Sequence, residues 1–155
     1  MIPPVLIFAW GNPSRGDDAL GPLFGEHFAT LAERHPEWGE IEFLTDFQLQ
    51  VEHALDLQGR SRVLFVDASI DAPAPCSLQR IQAFKDSSFT THAMSPQAVL
   101  QVYADIEDSE PPPTWLLAIH GESFELGDEL SDSARKHLEA ALAITAEWMI
   151  GTAPA

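Results

Sequence analysis

Three polar side chains, Asp18, Asp67 and His92, are of types that could together bind a metal ion and perform hydrolysis. Asp18 lies where an apolar run gives way to helical periodicity, Asp67 ends another apolar run, and His92 precedes a helix start. Loops at the carboxyl ends of strands form the ligand sites of open α/β sheets. Two carboxylates and an imidazole suit a first-row divalent ion and leave positions open for substrate. Such ligands come from distant parts of a chain, so their spacing alone is not diagnostic.

Each of these residues also has a structural interpretation. Asp18 and its neighbour Asp17 would stabilise the dipole at a helix N-terminus. An acid after a buried strand, such as Asp67, often caps a turn. His92 lies in a threonine-rich segment, where a surface histidine is common, and His120 has the position of a turn residue at the end of an apolar run. From the residues alone, both interpretations stay open.

Other catalytic chemistries have weaker support. Ser14 is not in a Gly-x-Ser-x-Gly elbow at the end of a core strand, and Cys76 has no activating partner nearby in sequence. Gly11, Gly16 and Gly21 match neither the dinucleotide-binding fingerprint nor a phosphate-binding loop, and no lysine follows them to contact a phosphate. We therefore expect no organic cofactor.

Five segments have the pattern of β-strands, and helical segments alternate with them. This order predicts one α/β domain over residues 1–155, a three-layer fold with a mostly parallel, twisted sheet of about five strands and helices on both faces. The fourth segment alternates, and Arg80 and Gln82 on its polar side indicate an edge strand. The predicted strands are residues 5–10, 41–46, 63–67, 77–84 and 115–119.

Helical patterns follow several of these strands. The first helix should run from about Asp18 to residues 31–33 and stop before His35-Pro36, because proline disfavours a helical conformation in the residue before it. A second stripe at helical spacing covers residues 49–57. Two later helices have N-cap signals, Ser95 followed by a proline, and Ser131.

The composition is that of an acidic globular protein. The chain has 155 residues, 45% of them hydrophobic, and a formal net charge of −16 at pH 7. Because nucleic acids and anionic membranes are polyanions, this charge argues against both as partners. The single cysteine excludes a disulfide framework. No apolar run has the length of a membrane span, and the N-terminus lacks the pattern of a signal peptide. We expect a cytoplasmic protein and a monomer.

The segment around Asp18 resembles the signature of a known enzyme family. Gly11-Asn12, then Asp17-Asp18-Ala19-Leu20-Gly21 after an apolar strand, is similar to the N-terminal signature of the hydrogenase maturation proteases. These endopeptidases trim the C-terminus of the large subunit of nickel–iron hydrogenases. Residues 63–67 resemble the family's third strand with its terminal aspartate, residues 91–96 its histidine loop, and residues 121–131 the segment before its final helix. The likeness covers nearly the whole chain.

The resemblance implies that Asp18, Asp67 and His92 are the catalytic and metal-contacting residues. Many members have Asp-Asp-Gly or Asp-Glu where this chain has Asp17-Asp18-Ala19. Compared with glutamate, Asp18 keeps the carboxylate with a shorter reach. Asp17 is assigned to helix capping or to support of the site. Residues 47–53 are similar to a subgroup of the family.

The resemblance also implies an activity and a partner. The protein would be a metal-dependent, aspartyl-type endopeptidase that cleaves the precursor of a hydrogenase large subunit after nickel insertion, and the substrate would contribute the nickel. One alternative is a non-catalytic nickel-binding or chaperone module, which would bind the precursor and leave its tail intact. Another is an unrelated small α/β ligand-binding domain, in which the two acids would lie far from His92.

Overall fold

Apolar strands form a central sheet in the computed structural model, which describes residues 1–85 and 94–151. The strands are β1 (Val5–Trp10), β2 (Ile41–Asp46), β3 (Arg62–Ser69), β4 (Cys76–Ile81) and β5 (Thr114–His120). Their order across the sheet is β2-β1-β3-β5-β4, and all pairs are parallel except β4 with β5.

Helices cover both faces of this sheet. The α-helices are α1 (Leu20–Glu33), α2 (Pro96–Glu107) and α3 (Asp132–Met149), and a 3₁₀ helix spans Val51–Leu57. α1 and α3 pack on one face, and α2 and the 3₁₀ helix pack on the other. The predicted α/β class, with a mostly parallel five-stranded sheet between helices, is confirmed. Among the described residues, no helix combines the length and the apolarity needed to cross a bilayer.

The central strand β1 contributes to both cores. All six of its residues are buried, as expected for a parallel strand covered on both faces. Its odd-numbered side chains face α1 and α3, and its even-numbered ones face α2 and the 3₁₀ helix. On the first face, Phe28 stacks between Phe24 and Trp38, with ring centroids 5.5 and 5.3 Å away. Each fully buried side chain, such as Phe24 or Phe28, stabilises the fold by about 1.5–3 kcal/mol.

Three strands end at other residues than predicted, and β5 differs by one residue, since it ends at His120. β3 continues past Asp67, because its ladder with β5 extends to the pair Ser69 and His120. An aspartate side chain does not interrupt backbone pairing. β4 ends at Ile81, three residues earlier than predicted, since its partner Thr114 is preceded by three prolines that have no N–H to donate. Its place at the edge of the sheet agrees with the prediction.

The predicted helices are present, and the first two differ from the prediction in their start or in their type. α1 starts at Leu20, after a 3₁₀ turn at Gly16–Ala19, rather than at Asp18. The second helical stripe forms the 3₁₀ helix Val51–Leu57. α2 and α3 begin as predicted at Ser95 and Ser131, whose Oγ atoms accept hydrogen bonds of 3.1 and 3.2 Å from the backbone N–H three residues later.

Candidate active site

The loop after β1 holds Asp18 beside the carboxyl end of that strand. Two glycines allow this close approach: a Cβ on Gly11 would lie 2.0 Å from the backbone oxygen of Asp18, and one on Gly21 would lie 2.1 Å from that of Trp10. The backbone N–H of Asn12 donates to Asp18 Oδ2 at 2.6 Å. The half-buried carboxylate of Asp18 therefore has a fixed position at this edge of the sheet.

Asp67 lies in the neighbouring strand β3, and its carboxyl is electrostatically coupled to Asp18. Burial raises the pKa of Asp67 to about 7, and the charge of Asp18 contributes to the increase. Burial also raises the pKa of Asp18, although the hydrogen bond from Asn12 and the charge of Arg15 oppose the shift. Two acids with raised pKa values at the end of a sheet form a site that retains a proton near neutral pH.

Asp17, next to Asp18, has a different role. Its carboxylate is fully buried and accepts hydrogen bonds of 2.7–3.3 Å from the backbone N–H groups of Glu122, Ser123 and Ser131 and from Ser131 Oγ. Burial alone would raise the pKa of Asp17, but these hydrogen bonds hold it below its ordinary value. Asp17 thus connects the β1 loop to the segment before α3 and supports the N-cap of that helix, instead of capping its own helix.

A cleft of about 500 Å³ opens beside Asp18. Two segments line it: the loop after β1, and the residues at and after the end of the edge strand β2. The lining is rich in carboxylate and amide groups, which can hold a polar chain, and it includes one exposed aromatic ring. Its residues are Asn12, Arg15, Asp18, Asp46, Phe47, Gln48 and Gln50.

A second acid of the cleft, Asp46, was not among the predicted site residues. Its Oδ1 accepts a hydrogen bond from the backbone N–H of Phe47 at 2.7 Å, and its Oδ2 lies 3.2 Å from His53 Nε2. Nδ1 of the buried His53 ring accepts the N–H of Gln50 at 2.8 Å. The signal that could have identified Asp46 is the one that identified Asp67: both are acids at the carboxyl ends of predicted strands.

The third predicted ligand, His92, lies outside the described residues, and its place in the site stays a prediction. Within residues 1–85 and 94–151, no three histidine, cysteine, aspartate or glutamate side chains form a group that could hold a metal ion. Of the three predicted ligands, the structure describes Asp18 and Asp67. His120 is the last residue of β5 and pairs with Ser69, so its interpretation as a turn residue is wrong. Its Nδ1 lies 2.7 Å from the backbone oxygen of Ala72.

Solved structures with the same architecture exist. The crystal structure of the [NiFe] hydrogenase maturation protease HycI from Thermococcus kodakarensis KOD1 matches with a TM-score of 0.69 and 21% identity, over 95% of this chain and 92% of that chain. The hydrogenase maturating endopeptidase HybD from E. coli matches with a TM-score of 0.67 and 21% identity, over 95% and 93% of the two chains. The chain has the fold of the [NiFe] hydrogenase maturation proteases.

The likeness to these maturation proteases is one of structure. The solution structure of the endopeptidase HycI from Escherichia coli matches over 93% of this chain and 90% of its own, with a TM-score of 0.66 and 17% identity. The sequence matches no family model and no curated protein. The resemblance inferred from the Asp17-Asp18 signature is thus confirmed as a structural match across nearly the whole chain.

Proposed function

We propose that this protein is a cytoplasmic endopeptidase that removes the C-terminal extension from the precursor of a nickel–iron hydrogenase large subunit, after nickel has been inserted. The observation that carries the proposal is the coupled pair Asp18 and Asp67 at the carboxyl end of a sheet with the fold of the hydrogenase maturation proteases. The adjoining cleft offers room for the peptide that is cleaved.

Asp18, Asp67 and His92 recognise the nickel that the substrate carries. Carboxylate and imidazole groups are suitable nickel ligands, and the ion compensates the repulsion between the two carboxylates. Without nickel, the same site presents two desolvated acids to a peptide, which is unfavourable. Specificity for the loaded precursor then comes from the difference between these two binding energies.

The bound substrate ion has two consequences for cleavage. It fixes the precursor against the site, so that the scissile peptide bond lies close to the reacting groups. It also polarises the peptide carbonyl or a water molecule. A carboxylate oxygen that does not contact nickel accepts the proton of the attacking water, and the C–N bond breaks as the amine leaves with a proton.

The test uses purified protein with nickel-loaded and nickel-free precursor, followed by intact mass spectrometry. The variants Asp18→Asn and Asp67→Asn each replace one ionisable carboxyl group by an amide of the same shape. Glu26→Gln, at an exposed acid of α1, is the matched control for charge loss. We expect the C-terminal peptide to be lost only with nickel, and only with the unmutated protein and Glu26→Gln.

Three outcomes would count against the proposal. Cleavage of the nickel-free precursor at an equal rate would contradict recognition of the metal. Full activity of Asp18→Asn and Asp67→Asn would contradict the site. Tight binding of the cognate, nickel-loaded precursor without any mass change would identify a holding module instead of a protease.

A further inference from the structure

The Asp46 and His53 pair has no part in the site described so far, although Asp46 lines the cleft next to Asp18. We propose that Asp46 is a substrate-binding carboxylate and that His53 is the residue that positions it. Asp46 accepts an N–H hydrogen bond from the extended segment of precursor that occupies the cleft. The inference rests on the proposed function for the identity of the peptide.

The hydrogen bonds of His53 determine which ring nitrogen carries the proton. The backbone N–H of Gln50 can only donate, so Nδ1 of His53, 2.8 Å away, accepts with its lone pair. The proton is then on Nε2, which donates to Asp46 Oδ2 at 3.2 Å. Phe8 lies edge-on to the buried imidazole, with ring centroids 4.5 Å apart, and limits its rotation. His53 is therefore a fixed donor directed at Asp46.

Asp46 is held from three directions and still has free acceptor capacity. One carboxylate oxygen accepts from Phe47 N and the other from His53 Nε2, and each oxygen has a further lone pair. The Asp46 side chain remains 42% exposed. Its backbone oxygen accepts from Gly11 N at 3.1 Å, which connects it to the loop that holds Asp18. Asp46 and Asp18 consequently have fixed positions relative to each other on the two sides of the cleft.

The other lining groups indicate what the cleft binds. The side-chain amides of Asn12, Gln48 and Gln50 line the cleft and carry NH₂ donors and carbonyl acceptors. The carbonyl oxygens of Asn12 and Gln50 already accept from the backbone N–H groups of Ser14 and His53, and each has a second lone pair. An extended peptide presents alternating N–H and C=O groups, and such a lining can pair with both. Asp46 adds an acceptor that is preorganised, which lowers the entropic cost of binding. The occupant is therefore the peptide segment next to the nickel site.

Four variants separate positioning from folding. Asp46→Asn removes the charge of the acceptor. His53→Gln can reproduce both contacts, since its amide oxygen accepts from Gln50 N and its NH₂ donates to Asp46. His53→Glu keeps the cap acceptor, lacks the donor and places a second negative charge beside Asp46. Glu52→Gln, an exposed acid in the same 3₁₀ helix, is the control for loss of charge.

Steady-state cleavage of nickel-loaded precursor gives KM and kcat for each variant, with Tm as the folding check. We expect Asp46→Asn and His53→Glu to raise KM about tenfold or more, the size expected for one hydrogen bond to a charged group. Their kcat should change by less than about threefold, a smaller effect than on KM because the lost contact serves binding. His53→Gln and Glu52→Gln should have the KM of the unmutated protein.

The outcomes distinguish this inference from the proposed function. Normal cleavage with an unchanged KM in Asp46→Asn, or in a folded His53→Glu, overturns the inference and leaves the protease intact. If the unmutated protein binds the loaded precursor without cleaving it, the same variants are compared by dissociation constant. A weaker Asp46→Asn complex then supports the inference while the protease proposal fails, and equal affinities refute both. Absence of any binding by the unmutated protein also refutes both.

Discussion

Asp17 and Asp18 are consecutive residues of one 3₁₀ turn, but their surroundings give their carboxyl groups opposite properties. The pKa of Asp17 is lowered, because four donors compensate its burial. The pKa of Asp18 is raised by burial, against one backbone hydrogen bond and the charge of Arg15. The carboxylate of Asp17 accepts four hydrogen bonds from the protein, whereas the carboxylate of Asp18 accepts one and remains available to a ligand. Stability and binding should therefore depend on different members of this pair.

Asp17→Ala should lower the free energy of unfolding by about 3 kcal/mol or more, because it leaves several buried donors without an acceptor. Asp18→Ala removes a half-buried carboxylate whose burial already disfavours its charge, so we expect a loss below about 1 kcal/mol. Urea denaturation at pH 7 would compare the two variants. Equal losses would show that the segment before α3 does not depend on Asp17.

Asp67→Asn should make stability less dependent on pH. Asp67 has a pKa of about 7 in the folded protein, against 3.8 for a free aspartate side chain. Between these values the folded state binds more protons than the unfolded state, so the unmutated protein loses stability as pH rises from 4 to 7, and the loss levels off above 7. The Asp67→Asn protein lacks this loss. At pH 8 its free energy of unfolding should exceed that of the unmutated protein by roughly 2–4 kcal/mol.

Denaturation curves at pH 4, 6 and 8 test the prediction for Asp67. The stability difference between the variant and the unmutated protein should be smallest at pH 4 and should grow up to neutral pH. Asp71→Asn, at an exposed acid beyond the same strand, is the control for loss of one charge. A difference that stays constant with pH would mean that Asp67 titrates normally in the folded protein.

Some functional residues could be predicted from the sequence because of their position along a strand. Asp18 and Asp67 follow apolar runs, and a parallel sheet brings such residues to one edge. The role of Asp17 was not predictable in this way, since its partner Ser131 is 114 positions away. Asp46 shares the strand-end signal, but its pairing with His53 depends on a side-chain rotamer and a local turn. Patterns of polarity predict where residues lie better than which contacts they make.

At the level of elements, the junction between β1 and α1 controls the position of Asp18. Gly21, near the start of α1, contacts the backbone of Trp10 so closely that no side chain fits. Gly25, one turn later, has only the Ala9 methyl within reach of an added Cβ, at an ordinary 3.7 Å. A side chain is therefore excluded at Gly21 and fits at Gly25. The sequence pattern does not distinguish these two glycines.

Replacing these glycines by alanine should have opposite effects. Gly21→Ala should destabilise the protein by about 3 kcal/mol or more, because α1 has to move away from β1, and the displaced Asp18 should reduce precursor cleavage. Gly25→Ala should stabilise by about 0.5–1 kcal/mol, since alanine is the better helix former. Thermal unfolding and the cleavage assay measure both effects. A stable and active Gly21→Ala protein would contradict the close packing of this junction.

The ends of elements were predicted less well than their order. The alternation of apolar strands and helical stripes is a property of many residues together, and it indicated the sheet and the helices on both faces. β4 is shorter than predicted because of Pro111, Pro112 and Pro113, which precede its partner strand and cannot extend the ladder. A strand boundary thus depends on the partner strand, which is unknown until the topology is known.

At the scale of the whole molecule, the pattern of buried residues determines the fold, and the charged residues determine the properties of the surface. About one fifth of the residues are identical to those of HycI from Thermococcus kodakarensis KOD1, yet the chains match over more than nine tenths of their lengths. A fold is kept through extensive substitution when the hydrophobic pattern and the core volume are preserved. The net charge of −16 is a surface property and places few limits on the fold. It should nevertheless determine how stability responds to the solvent.

Salt should stabilise this protein. The chain has 24 acidic residues and 8 lysines and arginines, so the acidic residues outnumber these basic residues by 16. Raising NaCl from 10 to 200 mM shortens the Debye length from about 30 Å to below 10 Å and screens the repulsion among them. We expect Tm at pH 7.5 to increase by a few degrees, corresponding to about 1 kcal/mol. KCl should act equally, because screening depends on ionic strength. A decrease in Tm would instead mean that attractive pairs, such as Arg60 with Glu42, dominate the electrostatic energy of the fold.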